Sequence, residues 1–254
     1  MNKQPEKAMI LAAGMGRRLR PLTDDKPKAL VSLGGKTLLE LVIRQLKNFG
    51  IRAIIINVHH HAQQIIDFVK RNNSFGLHIE FSFEERLLNT GGGLKKARWF
   101  FEDSETFLLH NVDVLTDMNY QVLFAHLRST HALAALAVRK RKTNRYLLFD
   151  AQMRLTGWQN IQSGKLKIVR KIFPAFRPFA FSGIQALRSK IFEFFPEQDV
   201  FSLIDVYLQL AYRSYPIVGV VNNKDRWLDV GKPETLHAAE QIFADFFVDG
   251  VRPQ

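Results

Sequence analysis

The sequence predicts an α/β fold in which a mostly parallel, mixed sheet is flanked by helices. Buried-strand patterns alternate with amphipathic-helix patterns from residue 8 to residue 113, which is typical of βαβ units with right-handed crossovers. Glycine-rich or polar stretches follow predicted strands at 14–28, 90–93 and 111–113. Ligands of parallel sheets bind beyond the carboxyl ends of the strands, so these stretches are candidate functional positions.

The first half of the chain contains four apolar stretches that we interpret as strands, at 8–13, 52–58, 77–83 and 106–113. Thr37 and Glu40 form a capping-box signature and Gly50 is a typical helix-ending glycine, so a helix is predicted between them. Further helices are predicted from Ala62 onward and from the TGGG turn that begins at Thr90.

The second half is richer in predicted strands, at 132–138, 146–150, 165–169, 179–187 and 215–221. Ser202 and Asp205 form a second capping-box signature that predicts a helix after them. Pro233 suits the first position of a last helix. The sequence contains no linker or internal repeat, so we predict one domain over 1–254, with halves at about 8–130 and about 131–254.

Composition narrows the functional classes. The chain has 254 residues, a formal net charge of +12 and no cysteine, which excludes disulfides and thiolate metal sites and favours a reducing, cytoplasmic location. Its apolar runs are shorter than the roughly 20 residues of a transmembrane helix, so no membrane partner is expected. The densest basic run, 138–145, lacks interleaved aromatic residues and is interpreted as a solvated loop, so no nucleic-acid partner is expected.

The stretch after the first predicted strand has the features of a phosphate site. Gly14 and Gly16 allow a tight turn whose backbone N–H groups point at one spot, and Arg17, Arg18 and Lys28 add positive charge. A Walker motif is excluded because no Gly-Lys-Ser/Thr follows, and a dinucleotide fingerprint is excluded because its third glycine is absent. A nucleoside triphosphate, with about four negative charges, suits this loop.

The whole pattern LAAGxGxRLxPLTxxxPKAL resembles the signature of the sugar-1-phosphate nucleotidyltransferases. NTGGGLKKA, NVDVLTD, FSGI and WLDVGKPETL follow in that family's order, so the resemblance covers nearly the whole chain. Among the short members, the chain is most similar to the N-acetylmuramate 1-phosphate uridylyltransferases. The resemblance implies a Rossmann-like fold of the nucleotide-diphospho-sugar transferase type, with a nucleotide-binding first half and a smaller, β-rich, sugar-binding second half.

The resemblance also implies roles for individual residues. Arg18, Lys28 and Asp113 would be catalytic, and Asp113 and Asp229 would bind Mg²⁺, which takes hard oxygen ligands. Glu84, Gly183 and Asp229 would contact the sugar. The nucleotide would be bound by Ala12, Ala13, Gly14, Gly16, Arg17, Arg18, Lys28, Thr90, Gly91, Gly92 and Asn111.

Several structural interpretations stay open beside these roles. Asp113 and Asp229 also suit turns or caps, Arg17 also suits a solvated surface, and Glu84 is equally compatible with exposure to solvent. The chain has Val112 where many relatives have glycine. It also lacks the Glu-Lys-Pro segment of larger relatives, which Lys165, Lys167 or Lys171 could replace.

The sequence therefore predicts a Mg²⁺-dependent nucleotidyltransferase that joins a nucleoside triphosphate to a sugar 1-phosphate and releases pyrophosphate. UTP and N-acetylmuramate 1-phosphate are the favoured pair, and a monomer or homodimer is expected. Alternatives are the same chemistry with GTP and mannose or heptose 1-phosphate, or with CTP and phosphocholine. A catalytically silent, nucleotide-sensing regulatory subunit and a nucleic-acid binder are the alternatives of a different class.

Overall fold

The computed structural model describes residues 6–170 and 176–247. The strands are β1 (Lys7–Leu11), β2 (Ser32–Leu33), β3 (Lys36–Thr37), β4 (Ala53–Val58), β5 (His78–Phe83), β6 (Thr106–Asn111), β7 (Val114–Thr116), β8 (Ala134–Arg139), β9 (Arg145–Phe149), β10 (Leu155–Asn160), β11 (Lys165–Ile168), β12 (Arg177–Arg188), β13 (Ile217–Val221) and β14 (Trp227–Asp229). The α-helices are α1 (Leu38–Phe49), α2 (Ala62–Arg71), α3 (Asn89–Lys96), α4 (Gln121–Thr130), α5 (Leu203–Tyr212) and α6 (Pro233–Ile242). Among the described residues, no helix is both long and apolar enough to cross a membrane.

The chain divides into two compact units. Of the described residues, unit 1 contains 6–87, 110–118 and 225–247, and unit 2 contains 88–109, 119–170 and 176–224. The predicted α/β class, with a mixed, mostly parallel sheet flanked by helices, is confirmed. The prediction of one domain over the chain stays a prediction.

Unit 1 is built on a parallel sheet with β4 between β1 and β5. Every residue of β4 is buried, as is usual for parallel strands covered on both faces. Helix α1 begins and ends as predicted, because the Thr37 hydroxyl accepts a hydrogen bond of 3.1 Å from the Glu40 N–H and Gly50 adopts φ 106°. Pro233 is the first residue of α6, also as predicted.

The last segment of unit 1 packs on α1 and is held by an arginine. Arg226 donates to Asp117 at 2.6 Å and to both oxygens of Asp245 at 2.6 and 2.8 Å, and its guanidinium lies against the rings of Phe243 and Phe246. These bonds raise the pKa of Arg226 and lower the pKa of Asp245. Apolar packing adds Leu19, Val31, Leu33, Leu38, Leu41, Leu115, Val230 and Ala239 to the same cluster.

Unit 2 is rich in strands, and β12 is the strand through which the others are connected. β12 pairs in antiparallel fashion with β8 and β9, β9 continues to β10 and β11, and β13 runs parallel to β8. The predicted strands of this region are confirmed, whereas β10 and α4 were not predicted. The Asn119 side chain, two residues before α4, accepts a hydrogen bond of 2.9 Å from the Gln121 N–H and closes the turn that leads into this helix.

The second capping box is only half correct. The Ser202 hydroxyl accepts from the Ile204 N–H at 3.2 Å and caps α5 as predicted. The Asp205 carboxylate, however, accepts from Lys167 at 2.8 Å, because β11 brings this lysine within reach. Lys167 is therefore already paired, and Lys171 lies outside the described residues.

Candidate active site

The loop after β1 forms the tight turn that its glycines predict. Gly16 adopts φ 63°, and its carbonyl accepts hydrogen bonds from the Leu19 N–H at 2.8 Å and the Thr23 hydroxyl at 3.0 Å. Arg17 and Arg18 follow in a short 3₁₀ turn, and both are exposed. Gly14 has open space where a side chain would lie. The turn thus presents two guanidinium groups beside the end of β1.

A buried polar chain holds the start of this loop. The Ala12 N–H donates to Asn57 at 2.7 Å, and the Asn57 amide donates to Glu84 at 2.7 Å. The Glu84 backbone carbonyl also lies 2.7 Å from Nδ1 of His59. Glu84 is only 1% exposed, so the open alternative of a solvated side chain is excluded, while its sugar contact stays a prediction. The Ala12 N–H already has a partner, and the nucleotide contacts of Ala12 and Ala13 likewise stay predictions.

Lys28 and Asp113 form a charged pair at the same edge of the unit 1 sheet. The Lys28 ammonium donates to Oδ2 of Asp113, and Lys28 is only 8% exposed. The chain beyond β6 is held beside β1, because the Val112 N–H donates to the Leu11 carbonyl at 3.1 Å. This backbone contact brings Asp113 to the glycine loop, as the parallel-sheet argument predicts.

Strand β14 brings the second aspartate to the first. β14 pairs with β7 in antiparallel fashion with Asp229 opposite Val114, and the Val230 N–H donates to the Asp113 carbonyl at 2.9 Å. The two aspartates are 116 residues apart in the sequence, yet their backbones are neighbours. The Asp229 carboxylate accepts from the Gly231 N–H at 2.8 Å, which fixes its orientation.

The charged groups of unit 1 converge over Gly231. A methyl group placed on Gly231 would lie 2.6 Å from Oδ1 of Asp229, 2.7 Å from Nη2 of Arg18 and 3.1 Å from Nζ of Lys28. Predicted residues from two distant parts of the sequence, the stretch 14–28 and the segment around Asp229, therefore meet at one point. Gly231 itself was not predicted as a site residue, although its position two residues after Asp229 was visible.

The donor set fits a magnesium ion better than a metal with an all-protein cage. Among the described residues, no group of three or more histidine, aspartate or glutamate side chains is placed to hold a metal ion. Mg²⁺ is usually held by one or two carboxylates together with waters and substrate phosphates. Asp113 and Asp229 supply two carboxylates on neighbouring backbones, and one oxygen of each already accepts a hydrogen bond, from Lys28 and from the Gly231 N–H. The chemistry of these ligands suits Mg²⁺, and its binding here stays a prediction.

In unit 2, the predicted TGGG turn lies within the first turn of α3. The Gly91 and Gly92 N–H groups point to the Phe201 carbonyl at 3.0 and 3.3 Å, and the Thr90 hydroxyl accepts from the Leu203 N–H at 3.1 Å. A methyl group on Gly92 would lie 1.8 Å from the Asp199 carbonyl oxygen. These glycines therefore allow close backbone packing, and their nucleotide contacts stay predictions.

The other two predicted positions differ in character. Gly183 adopts φ 78° where the pairing of β12 with β8 shifts register, so it forms a bulge that only glycine adopts easily. Its sugar contact stays a prediction. Asn111 is half-buried at the end of β6, and its backbone carbonyl lies 2.8 Å from Nδ1 of the fully buried His110. Burial lowers the pKa of His110 to about 4.

The site combines a glycine-rich turn at the end of a parallel strand with nearby cations and with two carboxylates on neighbouring backbones. This combination is typical of Rossmann-like α/β proteins that bind phosphate groups. Residues 7–245 match the Nucleotidyl transferase family, and the chain belongs to that family. It is 28% identical to an N-acetylmuramate alpha-1-phosphate uridylyltransferase from Caulobacter vibrioides, covering 96% of this chain and 100% of the relative.

Two further comparisons concern the sequence and the fold. A D-glycero-alpha-D-manno-heptose 1-phosphate guanylyltransferase from Campylobacter jejuni is 27% identical, with 91% of this chain and 96% of the relative covered. The structure of the inositol-1-phosphate CTP transferase from T. maritima superposes with a TM-score of 0.75 at 19% identity over 98% of both chains, which supports the fold. The chain is a sugar-1-phosphate nucleotidyltransferase, and the resemblance predicted from the motifs is confirmed.

Proposed function

We propose that this enzyme transfers a uridylyl group from UTP to N-acetylmuramate 1-phosphate in a Mg²⁺-dependent reaction that releases pyrophosphate. The observation that carries the nucleotidyl-transfer part is the convergence of Arg18, Lys28 and Asp229 over Gly231. The choice of UTP and of this sugar is supported by the Caulobacter relative, which is similar along its entire length.

The charges of the site suit the proposed reaction. An oxygen of the sugar phosphate attacks the α-phosphorus of UTP, and the bond to the pyrophosphate oxygen breaks. The attacking phosphate is already ionised, so catalysis depends on positioning and on cationic stabilisation rather than on proton transfer. Arg18 would offset the negative charge of the transferred phosphate. Lys28 would reduce the repulsion between that phosphate and the incoming sugar phosphate.

The remaining predicted residues complete the proposal. Asp113 and Asp229 would hold Mg²⁺, and the ion would stabilise the negative charge that develops on the phosphates. The glycine loop of residues 12–18, Asn111 and the turn of residues 90–92 would bind UTP, and Glu84, Gly183 and Asp229 would contact the sugar. A cytoplasmic monomer or homodimer without membrane or nucleic-acid partners belongs to the same proposal, and the absence of cysteine supports the location.

A second substrate pair has specific support. The Campylobacter relative is named for a heptose 1-phosphate and a guanylyl group, and its similarity also extends along nearly the whole chain. The T. maritima structure is named for CTP. GTP with mannose or heptose 1-phosphate is therefore the alternative for the same site, ahead of CTP with phosphocholine.

The test is pyrophosphate release measured with Mg²⁺ over a grid of four nucleoside triphosphates and a panel of sugar 1-phosphates. Release confined to UTP with N-acetylmuramate 1-phosphate is the expected result, and omission of Mg²⁺ should abolish it. Release with another pair would overturn the substrate assignment. Release that persists without any divalent cation would overturn the proposed role of Mg²⁺.

A further inference from the structure

The φ angle of Gly231 does not by itself require glycine at this position. Its φ lies outside the left-handed region that favours glycine, unlike Gly16, Gly34 and Gly35 nearby in the same unit. Gly231 is also buried, so its identity matters to what surrounds it. The requirement for glycine must therefore come from its neighbours.

Those neighbours are the ends of charged side chains. The three atoms nearest to a methyl group at this position belong to Asp229, Arg18 and Lys28, at 2.6, 2.7 and 3.1 Å. Real Cβ atoms essentially never approach other atoms closer than 3.0 Å, so the Asp229 carboxylate and the Arg18 guanidinium would have to move. No backbone atom is among the three, and long side chains can move without unfolding the chain.

Gly231 also acts through its backbone. Its N–H donates to Oδ1 of Asp229 at 2.8 Å, the same oxygen that a methyl group would crowd. Gly231 thus holds the Asp229 carboxylate by a hydrogen bond. Because it has no side chain, it also leaves space beside its Cα atom for this carboxylate and for the ends of Arg18 and Lys28. A site that must hold charged groups within a fraction of an ångström needs such support.

We propose that Gly231 is a positioning residue of the phosphate-transfer site, which sets the relative placement of Arg18, Lys28 and Asp229. This inference rests on the proposed function for the reaction in which those groups act. It predicts that a side chain at position 231 impairs binding and catalysis and leaves the fold intact.

The experiment compares Gly231→Ala with Gly35→Ala and the unaltered enzyme. Gly35 lies in the same unit, has open space where its side chain would be, and adopts φ 80°, so a methyl group there strains only the backbone. We expect Gly231→Ala to lower kcat/KM on the order of 10²-fold, the effect of one displaced charge, with an unchanged urea midpoint. We expect Gly35→Ala to lower the urea midpoint and leave kcat/KM unchanged.

A double-mutant cycle with Arg18→Ala separates positioning from general damage. If Gly231→Ala acts by displacing the guanidinium, its effect on kcat/KM should be at least fivefold smaller when Arg18 is already absent. Losses that multiply independently would overturn the inference that Gly231 places Arg18. A wild-type kcat/KM for Gly231→Ala, or a loss that merely follows a lowered urea midpoint, would overturn the whole proposal.

Equilibrium binding of UTP distinguishes failure of this inference from failure of the proposed function. An unaltered enzyme that releases no pyrophosphate over the whole substrate grid would overturn the proposed function. The inference would still be tested, because Gly231→Ala should weaken binding of UTP, or of whichever nucleoside triphosphate the unaltered enzyme binds, at least fivefold. Equal affinity of the two proteins would overturn it.

Discussion

Gly231 in unit 1 and Gly92 in unit 2 both lack space for a methyl group, but different atoms occupy that space. At Gly231 the nearest atoms are the charged ends of Asp229, Arg18 and Lys28. At Gly92 the nearest atom is the backbone carbonyl oxygen of Asp199, at 1.8 Å. The first glycine therefore sets the positions of mobile charges, and the second sets how closely two backbone segments pack.

This difference shows why a glycine in a motif is not by itself evidence of ligand binding. The TGGG turn and the LDVGKP segment are both typical of the family, yet the contacts of the described residues separate a packing requirement from a requirement for placing charge. The contrast predicts loss of stability for substitutions around Gly92. It predicts loss of activity for substitutions around Gly231.

The largest expected effect comes from removing the Lys28 ammonium. Lys28→Met should lower kcat/KM by about 10²–10³, because one preorganised charge at such a site contributes that much to transition-state stabilisation. Steady-state kinetics with the best substrate pair measures it, and Lys70→Met, at an exposed position of α2, is the matched control. Normal kinetics in Lys28→Met would mean that the charge cluster of unit 1 is structural, and that Gly231 and Gly92 do not differ in their roles.

Gly92→Ala should have its main effect on stability. The methyl group would collide with a backbone oxygen that cannot rotate away, and overpacking of this kind costs about 3 kcal/mol in the free energy of unfolding. Urea denaturation measures the loss, with Lys96→Ala, at an exposed position of the same helix, as the control. An unchanged urea midpoint for Gly92→Ala would contradict the packing role of this glycine, whatever the effect on nucleotide binding.

The stability of the protein should also depend on the neutral form of His110. Burial lowers the pKa of His110 to about 4, from 6.5, although the Asn111 carbonyl and the charge of Asp113 oppose this shift. Between these two values the unfolded chain binds a proton that the folded chain does not, so the free energy of unfolding falls as the pH falls. The total loss should be about 3 kcal/mol.

Urea denaturation between pH 7 and pH 4 measures this dependence against His110→Gln, which has no titrating ring. The variant should lose less stability over the same range. Parallel pH profiles for the two proteins would show that His110 does not contribute, and stability near the unit 1 site would then be independent of this buried ring.

The smallest effects should be equal in the two units. Thr37→Ala and Ser202→Ala each remove a hydroxyl that accepts from the first turn of a helix, at 3.1 and 3.2 Å. Each should lower the free energy of unfolding by about 1 kcal/mol without changing kcat/KM. Unequal losses would show that the two units contribute differently to global unfolding.

Features that depend on residues close together in the chain could be predicted from the sequence alone. The alternation of apolar residues predicted the parallel strands of unit 1, Thr37 and Gly50 predicted the limits of α1, and Gly14, Gly16 and the adjacent cations predicted a phosphate-binding turn. These follow from local propensity and from residue chemistry, so they can be predicted without knowing the tertiary contacts. The family motifs extended them to Asp113 and Asp229.

Which side chains meet could be seen only from the tertiary structure. Asp117 lies in the same motif as Asp113 but pairs with Arg226, and Glu84 is buried on Asn57. Gly231 lies beside Arg18 and Lys28 because β14 pairs with β7 and brings Asp229 and the residues after it to the glycine loop. Such contacts join residues that are far apart in the chain, so their distances depend on strand pairing and packing, which local sequence patterns do not specify.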